Sequence, residues 1–148
     1  MKAFGVLLGG AIALGSGGLK HWSERDWRDF NALMVTYEAS PRDVRHYGPH
    51  AAARCVEERT GVKVPKAFAA VTMEAIFIDM KLHKDEASVS DAQIARLFKP
   101  YADALAADAA TMTEAEVTAL TDGLASIEED YALEGCVSRT ITAWMRDA

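Results

Sequence analysis

The spacing of the large apolar side chains constrains this chain more than any other feature. From Trp27 to Trp144 they recur mostly at steps of three and four, the period of an α-helix with one buried face. Trp27, Phe30, Leu33, Met34 and Tyr37 fall on one face of a helix over Glu24–Glu38, with Ser23 as N-cap and acids in the first turn. The only strand-like alternation is Val62-Lys63-Val64, and Pro65 ends it. Composition agrees with the period. Of 148 residues 27 are alanine, the best intrinsic helix former, whereas Asn31 and Gln93 are the sole amides.

Punctuation residues divide the pattern. Ser40-Pro41 reads as a second helix start, and Gly48-Pro49 breaks that helix. A further short helix from about His50 to Arg59 stops at Gly61. Pro65 opens the most apolar segment, to about Lys84, with Phe68, Val71, Ala75, Ile78 and Leu82 in one stripe. Met73, Ile76, Phe77 and Met80 widen that stripe past half the circumference, which predicts the buried centre of a bundle. Ser90 with Gln93, and Thr113 with Glu116, are capping boxes that begin two more helices; Pro100 kinks the first, and Gly123 and Gly135 weaken the second. The expected fold is all-α: a helical bundle of about four long helices plus one or two short ones, forming a single domain over residues 19–148. An N-terminal apolar segment, residues 1–18, precedes it.

Charge narrows the function classes. The net charge of −6 is concentrated in Asp85–Asp130, where two basic residues face eleven acidic ones; Lys20–Lys84 carries eleven basic against nine acidic. Such an excess reads as a solvated acidic face, with an acidic surface for a basic partner as the sharper alternative. A nucleic-acid binder is not expected from this balance, nor is a disordered chain from a half-apolar composition.

Met1-Lys2 precedes sixteen uncharged residues, Ala3 to Gly18. One lysine, an apolar run and small residues at its end fit a secretory signal peptide, with Ser16 and Gly18 before a cut at Leu19, or a cut after Ala13. The alternative is a membrane anchor. As a helix, Ala3–Gly18 spans about 24 Å, short of the roughly 30 Å hydrocarbon core, although Lys20 and Trp22 extend it to that length. Membrane association would then run through residues 1–22. Gly5, Gly9, Ala13 and Gly17 form a small-residue ladder, but most of this segment is small residues anyway. A soluble, retained segment is the third reading. A phosphate-binding loop is excluded, because no GxxxxGK[ST] occurs.

Cys55 and Cys136 lie 81 positions apart on different predicted helices. In an exported protein an even pair is most simply a disulfide; two buried thiols are the alternative. His46 and His50 are four apart, but Gly48-Pro49 between them argues against one helical face, so no metal site is expected. Asp79 and His83 share a face of the apolar helix without a third ligand. Glu38, with Asp43 or Glu74, is the one carboxylate arrangement on which acid catalysis could be hung. No motif calls for a cofactor or names a catalytic residue. The expectation is therefore an exported, periplasmic or secreted, binding protein whose partner is another protein. A membrane-tethered accessory subunit stands second, and a small carboxylate-dependent hydrolase a distant third.

Overall fold

The computed structural model describes residues 23–85, 90–130 and 133–147. The expectations placed on residues 1–22, and on the side chains of Asp79 and His83, lie outside the described residues. Among the described residues seven α-helices follow in order: α1 (Glu24–Ala39), α2 (Pro41–Thr60), α3 (Lys66–Asp85), α4 (Asp91–Phe98), α5 (Ala102–Ala110), α6 (Glu114–Asp130) and α7 (Leu133–Asp147). A 3₁₀ turn, Lys99–Tyr101, joins α4 to α5, and no strand occurs among the described residues. The all-helical class is as expected. The Val62–Val64 segment is an irregular connection, with both valines buried.

The helix starts follow their caps. Asp26 N–H donates to Ser23 Oγ at 3.2 Å and Ser23 N–H donates back to Asp26 Oδ2 at 2.8 Å. Ser90 with Gln93, and Thr113 with Glu116, make the same reciprocal pair. Gly61 ends α2 in the left-handed region at φ 73°, where glycine carries no Cβ penalty, and its N–H donates to the Glu57 carbonyl. Pro100 acts more strongly than a kink. It sits in the 3₁₀ turn that splits one expected helix into α4 and α5.

Two expectations need correction. Gly48-Pro49 does not break α2, which runs unbroken for 20 residues with Pro49 inside it. A proline disfavours helical backbone before it because its Cδ crowds the preceding Cβ, and Gly48 has none. The missing Cβ also admits a neighbour: one placed on Gly48 would sit 2.7 Å from Met73 Cγ and 2.8 Å from its Sδ. The second correction concerns the centre of the bundle. Helix α3 is well buried through Phe68, Val71, Met73 and Ile76, yet α2 is the hub, packing against α1, α3, α6 and α7. Its inner face is Val44, Gly48, Ala51, Ala52, Cys55 and Val56, small side chains that let four helices approach.

Around that hub the core closes with Phe30 and Leu33 from α1, Leu105 from α5, Leu120 from α6, and Leu133, Val137 and Ile141 from α7. The first and last helices are adjacent: Ser138 Oγ donates to the Asp29 carbonyl at 2.6 Å, and Arg139 pairs with the Asp29 carboxylate. Gly123 is likewise a packing residue, since a Cβ there would lie 3.0 Å from Thr60 Cα at the α2–α6 contact.

The Gly48–Met73 contact is directly testable. Gly48→Val gains helix propensity but overpacks a buried contact, so a net destabilisation of about 1–3 kcal/mol is expected in urea unfolding. Combining it with Met73→Ala should cost less than the two single changes added together. Strict additivity would show that the two residues do not share this space.

Candidate functional site

Cys55 and Cys136 come together at the α2–α7 seam with Cα atoms 6.1 Å apart and sulfurs at bonding distance. Cys55 is fully buried and Cys136 nearly so, as are the adjoining Val56 and Val137. Thr140 Oγ1 donates to the Cys136 carbonyl at 2.8 Å and lies 3.6 Å from Cys55 Sγ. The link joins residues 81 positions apart and is shielded from solvent, a structural placement and not that of an exposed redox pair.

On the far side of α2 lies a groove of about 710 Å³. One wall is the middle of α2, with Pro49, His50 and Ala53. The Lys63–Pro65 connection and the start of α3 form the floor, and the α5–α6 junction forms the other wall with Asp108, Thr111, Met112 and Glu116. The connection is held in place from below: Val64 N–H donates to Glu57 Oε1 at 2.9 Å, and Ala67 N–H donates to Asp108 Oδ2 at 3.0 Å. Asp108 thereby places a carboxylate at the N-terminus of α3, where the helix dipole favours it. The groove is apolar along Ala53, Val64, Ala69 and Met112. Its charge is divided: Lys63 and Lys66 come from the connection and the start of α3, and Asp108 and Glu116 from the α5–α6 junction.

Glu116 is both groove lining and helix cap. The Thr113 backbone N–H, and then the Thr113 side chain, hold its carboxyl below the ordinary value. A lowered folded pKa means stability that is present above the ordinary pKa and lost as pH falls through the lowered one.

A second polar cluster sits where α1, α2 and α3 meet. The Arg45 guanidinium lies 4.6 Å from the Phe77 ring centroid and 5.6 Å from that of Tyr37, donates to the Tyr37 hydroxyl at 2.9 Å, and pairs with Glu74 at 3.4 Å. Burial, then the Glu74 charge, raise the Tyr101 hydroxyl pKa, and Arg45 partly offsets them. Glu74 is thus an ion-pair partner of Arg45. Asp43 is exposed in the first turn of α2, and Glu38 is exposed near the end of α1. His46 and His50, separated on paper by Gly48-Pro49, stand one turn apart on the continuous α2 with ring centroids 6.4 Å apart. Among the described residues no group of three or more His, Cys, Asp or Glu side chains is placed to hold a metal ion.

The cysteine pairing is legible in the sequence, and the groove is not. Pro49, Ala53, Pro65 and Met112 carry no motif, and only the folded chain brings them together. No family model matches this chain, and neither a curated protein nor a solved structure resembles it significantly.

Two outcomes follow from this geometry. Replacing both cysteines by alanine removes the 81-residue cross-link and should lower the urea unfolding free energy by about 4–5 kcal/mol in the chain-entropy model. A double variant as stable as the parent would show that the link contributes nothing. Glu116→Gln should lower the melting temperature near neutral pH, and the gap to wild type should shrink as the medium becomes acidic. A gap that persists at acid pH would remove the carboxylate from the cap.

Proposed function

We propose that this chain is an exported helical binding protein, periplasmic or secreted, that receives its partner in the α2–α3–α5–α6 groove. The observation that carries the reading is the buried Cys55–Cys136 pair. Thiols at bonding distance are consistent with an oxidising compartment, because cytosolic thiol systems keep such pairs reduced. Residues 1–18 then act as a signal peptide, and residues 19–148 form the working domain. Among the described residues no helix is long and apolar enough to cross a membrane.

The groove supports binding. Its volume falls within the range of about 300–1,000 Å³ common to ligand pockets, and an apolar floor with a few charged groups at the rim is the usual composition. The partner is a protein segment that presents an apolar side chain to Ala69 and Met112 and polar groups to the rims. The second reading, a membrane-tethered accessory subunit, retains residues 1–22 as an anchor.

Intact mass of the chain purified from its native host separates the two. Loss of about eighteen residues supports export and sinks the anchor; a full-length mass recovered with membranes does the reverse. The unfolded, unreduced native protein should take up no thiol reagent, and labelling of both cysteines would end the oxidising-compartment argument. Groove binding is probed with anilinonaphthalene sulfonate, an apolar ring system bearing an anionic group. Ala70→Trp fills the groove from a partly exposed position, and should abolish most of the dye's fluorescence gain while leaving helicity intact. Unchanged dye binding would place the apolar site elsewhere.

A further inference from the structure

The unbroken course of α2 has a chemical consequence for its outer face. His46 and His50 stand one turn apart, both exposed, with ring centroids 6.4 Å apart and planes inclined by 68°. Residues four apart on a helix project to the same side, which is how paired histidines chelate a single ion. Zinc bound by two imidazoles at about 2.0–2.1 Å needs the rings closer by about an ångström, within reach of exposed side-chain torsions.

We propose that His46 and His50 form a two-imidazole site for a borderline divalent transition-metal ion of the zinc, copper(II) or nickel(II) class. Imidazole nitrogen suits these ions, whereas calcium and magnesium demand oxygen ligands. The backbone beneath the pair is unusually fixed. Pro49 locks one φ angle between the two histidines, and Gly48 is buried against Met73, so less freedom is lost on chelation than on an ordinary surface helix. Two neighbouring cations are paired, Arg45 with Glu74 and Arg54 with Glu58 at 3.2 Å; Asp43 stands one turn before His46, and Arg42, also one turn before it, opposes a cation. Lys63 and Lys66 line the same groove as His50 and oppose a cation, against a chain whose overall charge is −6. Among the described residues no third side chain joins the pair, so water fills the remaining positions, leaving the ion open to a further ligand.

His50 also lines the groove, but the test of the metal site needs no groove partner. Zinc chloride is titrated calorimetrically into the tag-free full chain in a non-chelating buffer. One saturable site is expected, together with a rise in melting temperature. His46→Ala and His50→Ala should each weaken binding by about ten-fold or more and abolish that rise. Both positions are exposed, and circular dichroism confirms that each variant folds. The proposal is overturned by no saturable binding below millimolar zinc, or by binding that both variants leave unchanged. Weakening by His50→Ala alone would also overturn it, placing the ion in the groove and not across the pair.

Discussion

Everything else in this structure rests on α2 continuing through Pro49. A proline inside a helix removes the N–H that would bond the carbonyl four residues back and costs about 3 kcal/mol or more in isolation. Here that cost falls on a helix packed against α1, α3, α6 and α7, with Cys55 tied to Cys136. Tertiary contact outweighs local preference, as it does wherever a helix is held on several sides. The local preference is also weakened at its source, because Gly48 has no Cβ for the proline ring to crowd. A break at this point would move Ala51, Ala52 and Cys55 off the face that carries Val44, and the remaining helices would lose their common surface.

The α1–α7 seam closes the fold over sequence separations of about a hundred residues. Ser138 and Arg139 both reach Asp29, one through its carbonyl and one through its carboxylate. These contacts and the cysteine link fix opposite neighbours of α7, α1 on one side and α2 on the other. The exposed Arg139–Asp29 pair is worth little alone, since surface ion pairs are screened and entropically costly. The buried hydroxyl of Ser138 matters more, because an unpaired polar group in that seam would carry a desolvation penalty.

The contrast between what was legible and what was not has a physical basis. The boundaries at Ser23, Gly61, Ser90 and Thr113 were readable because each is set by a residue acting on backbone groups within four positions. The apolar stripe of α3 was readable because Phe68, Val71 and Ile76 are large. The hub was not. Its inner face uses glycine and alanine, which signal weakly by hydrophobicity, yet their smallness is what brings four helices within contact of α2. The glycines misled in the same direction. Gly48 and Gly123 read as weak points from propensity alone, and both are close-packing positions. The cysteine pair was legible by count. The groove was not, since it is assembled from α2, a connection, α3, α5 and α6 with no periodic signature in any of them.

The uneven charge along the sequence becomes a spatial property in the fold. The segment Asp85–Asp130, with its nine-charge acidic excess, contributes the α5–α6 wall of the groove, whereas His50, Lys63 and Lys66 come from the mildly basic half. The groove therefore lies along the boundary between the two halves, and its lining carries both signs for that reason. Such a field orients a ligand more than it strengthens the hold on it, because exposed charges are screened over about 8–10 Å at ordinary salt. In the proposed binding role, the apolar lining would supply affinity without direction, and the opposite charges direction with little affinity. A partner of a single charge would gain from one set of charges and be repelled by the other. A segment carrying both signs is the kind of partner such a groove would favour.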